Sequence, residues 1–223
     1  RTRHGIRAVF FDDSTFNDYA PRELLSRLGH LGIQWGCLSR FDRIDAGAIA
    51  TMAKAGCTYV YFGLEQYDQD VLASIGKPIG VKLIDETLRA CQLEGVRVGL
   101  SCLFGVGESI DVAEKTLRFV GEWADRGVVS VLSLSALCFH PGMRTAQRHW
   151  GQNVADFACL PPHWGYPWNC FEEGLWHHPR RFSLEYATRI VETAHRSVPA
   201  SALVRQKEVL GTCEQLAPED VSP

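Results

Sequence analysis

The chain has 223 residues, 46% of them hydrophobic and 22% charged, with a formal net charge of −3. That length can bury a full core and allows one domain or a large domain with an extension, while the lack of a basic excess argues against a nucleic-acid-binding surface. No apolar run approaches the ~20 residues of a membrane span, and Arg1 to Phe11 lacks the apolar stretch and cleavage site of a signal peptide, so the expectation is a cytoplasmic protein with neither nucleic acid nor membrane as a partner.

The predicted elements alternate. A strand-like run at Ile6 to Phe11 leads to a helical pattern from Pro21 to Leu31, with Pro21 at the first helical position. The strand Ile33 to Leu38 precedes a helix Ala46 to Ala55, opened by Asp45 and closed by Gly56. The strand Thr58 to Leu64 is followed by a short helix, Asp68 to Ile75, stopped by Pro78, and a longer one, Val81 to Glu94, closed by Gly95. The apolar strand Val96 to Phe104 runs into the turn Gly105-Val106-Gly107-Glu108. A helix from Ile110 to Arg126 then lies between Ser109 as N-cap and Gly127 as the residue past its end, and the strand Val129 to Leu137 completes the series. Right-handed βα repetition of this kind predicts an α/β fold, a parallel sheet curling toward a partial TIM-like barrel with five such units here. After Trp150 the composition turns to Pro, Trp and His. The repeat is expected to end there, with a helical tail from Leu184 to Ser197, dividing the chain into a barrel over 1–150 and a mainly helical and irregular C-terminal extension over 151–223.

Eight cysteines, at 37, 57, 91, 102, 138, 159, 170 and 213, are too dispersed for a local metal motif, because no two lie within ten residues of each other. They read as buried reduced thiols, and no metal site is assigned to this chain. In the C-terminal stretch, His163, His177, His178 and Cys170 could form a metal site, and Trp164, Tyr166, Trp168 and Trp176 could form a substrate lid. Aromatic packing that closes an open barrel edge is the preferred reading of both groups. Gly105-x-Gly107 is not a dinucleotide fingerprint, since Ile110 takes the place of the third glycine and the strand is fourth in order.

Chemistry in parallel α/β folds gathers where the strands end. Here those ends carry Asp12 and Asp13, then Arg40, then Glu65 and Gln66, then Ser101 to Glu108, and finally His140-Pro141-Gly142. Each has a plainer role available: Asp12 and Asp13 as turn residues, Arg40 as the partner of Asp42, Glu65 as a solvated strand end, and Gly105 and Gly107 as turn glycines. The succession of five such ends is the stronger signal.

Taken together, Phe10 to Phe16, Arg40 to Asp45, Ala55 to Gln66, Asp70-Val71-Leu72 with Gly76-Lys77, Ser101 to Glu108 and Phe139 to Gly142 resemble strands two to six of the radical SAM superfamily. The likeness covers about residues 6 to 150 and favours the branch whose members often carry a cobalamin-binding domain. It implies an enzyme that, when complete, reductively cleaves S-adenosyl-L-methionine (SAM) at a [4Fe–4S] cluster to make a 5′-deoxyadenosyl radical for hydrogen abstraction. It also implies a reductant such as flavodoxin or ferredoxin, a small-molecule or peptide substrate, and cobalamin as one further cofactor.

By the same resemblance, Asp12 and Asp13 would meet the methionine amino group, Glu65 the ribose hydroxyls, and Lys77 the methionine carboxylate, with Arg40 as the alternative. Ser101, Leu103, Gly105 and Glu108 match the fifth-strand G-x-I-x-G-x-x-E pattern, with Leu103 against adenine, and His140 belongs to the sixth-strand segment that also borders adenine. No catalytic residue is assigned. The strand and loop that carry three cluster cysteines in this family have no counterpart here, and the missing unit is expected immediately upstream of Arg1. A start without Met, directly before a strand, fits a processed product or an excised piece. The alternatives are a degenerate, non-catalytic SAM-binding barrel and a different α/β-barrel hydrolase using the Asp and His groups.

Overall fold

Each strand expected from the apolar runs is present, within one or two residues of its expected bounds. β1 (Ala8–Phe11), β2 (Gln34–Ser39), β3 (Cys57–Glu65), β4 (Arg97–Phe104) and β5 (Val129–Ala136) pair in parallel, in chain order, in one sheet. Between them run α1 (Arg22–Leu31), a 3-10 turn (Phe41–Arg43), α2 (Ala46–Lys54), α3 (Gln69–Ser74), α4 (Val81–Leu93) and α5 (Ile110–Asp125); α6 (Leu184–Ser197) follows later in the chain. The computed structural model describes residues 6–13, 15–16, 22–77, 79–137 and 184–203. His140 and the His- and Trp-rich stretch from Pro161 to His178 lie outside them.

The helix starts have local causes. Asp45 Oδ1 accepts from Ala48 N at 2.7 Å, Asp68 Oδ1 from Asp70 N at 3.1 Å and Val71 N at 3.2 Å, and Ser109 Oγ from Val112 N at 3.4 Å. Each cap satisfies a backbone donor that the first helical turn leaves without a partner, worth about 1 kcal/mol.

Strand order decides the architecture. A parallel sheet whose strands follow one another without reversal places every right-handed crossover on the same side, so its helices cover one face and leave the other as the inside of a barrel. The burial pattern agrees. Val60, Phe62 and Leu64 of β3 and Val98, Leu100 and Cys102 of β4 have no exposed surface, and point alternately with Tyr59, Tyr61, Gly63, Ser101 and Leu103 on the opposite face. Burying a side chain the size of Phe62 or Leu100 is worth about 1.5–3 kcal/mol, so the helix-covered face carries most of the core.

The inner face is packed by large against small. A Cβ at Gly99 would overlap the Tyr59 hydroxyl and the Tyr61 ring, so both rings lie across β4 in space that only glycine leaves open. Burial, with the neighbouring Tyr61, pushes the Tyr59 phenol up to about 12. These rings floor the barrel below its polar rim.

The helical tail docks on the barrel. Helix α6 packs on α5 so closely that a Cβ at Gly121 would overlap the Ser197 carbonyl oxygen, and Arg189 Nε donates to Glu114 Oε1 at 2.7 Å. Beyond it, Leu132 N donates to Ala202 O at 2.6 Å, and Leu203 forms a parallel bridge with Leu132. Thus α6 lies against α5, and Leu203 against the β5 edge of the sheet. The helix itself has the expected bounds, Leu184–Ser197.

Cys37, Cys57, Cys91 and Cys102 are buried and unbridged. Cys37 and Cys57, on neighbouring strands, are nevertheless brought together. A hydrogen bond with Cys57, reinforced by burial, holds the Cys37 thiol well above the ordinary range. Among the described residues no three His, Cys, Asp or Glu side chains converge in a metal-binding arrangement, and no helix is long and apolar enough to cross a membrane.

Candidate functional site

Polar side chains from four strand ends line the C-terminal edge of the sheet, and the structure separates them into free, paired and structural groups. Asp12 and Asp13 leave β1 exposed, and neither makes a hydrogen bond or ion pair among the described residues. Arg40, after β2, grips Asp42 through Nε and Nη2, both at 2.8 Å. This fork holds the Asp42 carboxyl below the usual carboxylate range, and it realises the plainer expectation for Arg40.

β3 ends in a bulge. Pairing with β4 slips between Gly63 and Glu65, and Glu65 takes φ 62, a left-handed conformation that costs a non-glycine residue on the order of 1–3 kcal/mol. Two interactions hold it there. Lys77, arriving from beyond α3, donates from Nζ to Glu65 Oε1 at 2.5 Å and to Gly63 O at 3.1 Å. On the opposite side Gln66, with no exposed surface, donates from Nε2 to Leu103 O at 2.7 Å and accepts from Thr116 Oγ1 at 2.9 Å. Thus Glu65 and Lys77, expected to hold different ends of a ligand, satisfy each other, while Gln66 braces β3 against β4 and α5. Glu65 is not a solvated strand end, because its side chain is only 18% exposed.

Further along β4, Ser101 lies on the inner face between Gly63 and Ser133, and Leu103 is half-buried beside Ser135. The chain then turns at Gly105 (φ 87) and Gly107 (φ 115), angles that favour glycine. Glu108 reaches back over this turn. Its Oε1 accepts from Gly105 N at 2.6 Å and from the hydroxyl of Tyr186 on α6, and its Oε2 is buried without a hydrogen-bond partner. Burial, followed by the bond to Glu108, holds the Tyr186 phenol protonated, far above its ordinary range.

The structure therefore places Glu65, Lys77, Ser101, Leu103, Gly105 and Glu108 along adjacent strands, with Asp12 and Asp13 at the far end of the sheet and Arg40 between. Reasoning from sequence missed the roles of Gln66, Thr116 and Tyr186. Gln66 sat in view beside Glu65, but nothing local marks Tyr186.

The backbone as a whole has solved counterparts. It superposes on TsrM of Kitasatospora setae, a radical S-adenosylmethionine methyltransferase solved with cobalamin and a [4Fe–4S] cluster, with a TM-score of 0.57 and 18% identity over 84% of this chain and 38% of that one. The fold is a partial α/β barrel like that of the radical SAM enzymes it superposes on. Coproporphyrinogen III oxidase (HemN) of Escherichia coli, a radical SAM enzyme, matches with a TM-score of 0.53 and 16% identity over 64% of this chain and 34% of its own. In sequence, the chain is 25% identical over 166 residues to an uncharacterized methyltransferase of Pyrococcus horikoshii, covering 72% of this chain and 34% of that protein. The chain thus spans about a third of the length of its curated relative. No family model matches it.

Proposed function

We propose that the C-terminal rim of this radical SAM barrel binds SAM, and that the chain is the SAM-binding core of a radical SAM enzyme. The observation that carries the reading is the convergence of Glu65 and Lys77 on the inner face, one strand away from Leu103 and the Gly105–Gly107 turn. The donor set fits the ligand. A carboxylate accepts from the two hydroxyls of a ribose, a lysine matches a carboxylate, unpaired Asp12 and Asp13 suit an ammonium, and half-buried Leu103 offers an apolar surface to adenine. In this reading SAM exchanges the Glu65–Lys77 bond for one bond to each partner, so the two charges are already aligned when the ligand arrives.

Among the described residues no set of cysteines fits a cluster. The chain's cysteines hold no closely spaced triplet, and Cys37, Cys57 and Cys102 face the helices rather than the rim. Where such a cluster is bound, it supplies the electron for reductive SAM cleavage, drawn from a flavodoxin- or ferredoxin-like donor. The second reading, a non-catalytic SAM-binding barrel, keeps the same ligand-binding rim without the cluster chemistry. Methyl transfer, with cobalamin as a further cofactor, is the reaction class most consistent with TsrM and the Pyrococcus methyltransferase.

Calorimetric titration with SAM tests the binding site. Glu65→Ala should weaken binding by about 1.5–3 kcal/mol, the worth of a hydrogen bond to a charged group, or one to two decades. Exposed Glu94→Ala, at the end of α4, should leave it unchanged. Equal affinities for wild type and Glu65→Ala would remove the rim as the SAM site. Release of 5′-deoxyadenosine by the full-length protein, anaerobically reconstituted and reduced, separates the catalytic reading from the non-catalytic one.

A further inference from the structure

We infer that Tyr186 is a positioning residue of the SAM site: through Glu108 it fixes the Gly105–Gly107 turn, and it thereby couples the docking of α6 to ligand binding. The inference rests on the reading of the rim as a SAM site.

Glu108 is only 8% exposed, and a carboxylate removed from water is destabilising unless donors replace the solvent. Its two oxygens share two donors, Gly105 N and the Tyr186 hydroxyl, both on Oε1, while Oε2 has none. The clasp is therefore already one oxygen short. Without the Tyr186 hydroxyl a single backbone donor would face a buried carboxylate, and rotation of Glu108 toward water becomes the cheaper arrangement. That rotation frees Gly105 N. The turn then loses the one side-chain hydrogen bond made to it among the described residues, at two glycines whose backbone has wide freedom. Leu103, the residue expected against adenine, lies two positions before the turn.

Tyr186 comes from 78 residues away, on α6. The other anchors of α6, Arg189 on Glu114 and the close contact of Ser197 with Gly121, are made to α5 and not to the turn. If docked α6 favours the ligand-ready turn, ligand on the turn must favour docked α6 to the same extent.

Tyr186→Phe keeps the ring and removes the hydroxyl. Hydrogen exchange should quicken at residues 105–108 while the α5 core from Ala113 to Trp123 stays protected, and SAM should bind about tenfold more weakly, the effect of one lost hydrogen bond transmitted to the site. Arg189→Ala, which weakens the docking of α6 but leaves the Tyr186–Glu108 bond in place, should weaken SAM binding less than Tyr186→Phe. In the wild-type protein, SAM should slow exchange across residues 186–195. Unchanged exchange at the turn in Tyr186→Phe, or no slowing of α6 by bound SAM, would overturn the inference. A wild-type protein that fails to bind SAM, with a turn still loosened by Tyr186→Phe, would instead overturn the SAM-site reading and leave the clasp standing.

Discussion

Replacing Gln66 by leucine should destabilise the protein more than any exposed substitution at the rim. Leucine has a comparable volume, so the change removes polar contacts without opening a large cavity. Gln66 has no exposed surface and makes two hydrogen bonds, to Leu103 O at 2.7 Å and from Thr116 Oγ1 at 2.9 Å. The Thr116 hydroxyl has a second acceptor in Val112 O at 3.0 Å and still receives Tyr67 N at 2.9 Å, so it stays satisfied. Leu103 O loses its side-chain donor. Two buried hydrogen bonds, with part of the penalty for a stranded carbonyl, amount to about 2–3 kcal/mol. For a protein of this size, each kcal/mol moves the midpoint by about 2–4 °C, so Tm should fall by about 4–12 °C. Thermal unfolding of Gln66→Leu, Thr116→Val and the double variant, followed by circular dichroism, also yields the pair coupling, expected at about 1 kcal/mol. A Gln66→Leu midpoint within about 1 °C of wild type would refute the idea that this amide braces β3 against β4 and α5.

Gly121→Ala should dislodge α6, because its methyl group would occupy the place of the Ser197 carbonyl oxygen; limited proteolysis within residues 184–203 would detect this, and unchanged resistance would show that the helices can part without loss. Tyr59 predicts an alkaline limit. Its phenol is raised from 10.0 to about 12, so its contribution to stability is complete below pH 10 and is lost as pH rises toward about 12. The difference between ultraviolet titrations of wild type and Tyr59→Phe should have its midpoint near 12, and a midpoint at 10 would place that ring in water.

The βα framework was legible because its determinants are local. Asp45 and Ser109 cap the helices they were expected to cap, and the outer-face residues of β3 and β4 alternate as the pleat requires. Contacts that cross between units were not. Cys37 and Cys57 are twenty residues apart, too far for a local ligand motif, yet one βα step is the separation that makes strand residues neighbours in a parallel sheet. Glu65 and Lys77 each stood out as polar groups near a strand end. Their pairing depends on the left-handed turn at Glu65 and on how α3 returns the chain to the rim, and neither is written in residue types alone. Tyr186 lay further out of reach, since its partner belongs to another unit and its helix pattern gives no sign of it.

Sequential strand order also sets a timetable for assembly. In chain order each of β2 to β5 can pair with a neighbour that has already been made, so the sheet can grow while the polypeptide is still being synthesised. The rim is different. Glu108 must await Tyr186, 78 residues later, an interval of about 4–16 s at about 5–20 residues/s. Through that interval the nascent sheet displays the mouth of the proposed site with the glycine turn unfastened, which makes this the period when a ligand or a chaperone has freest access to it.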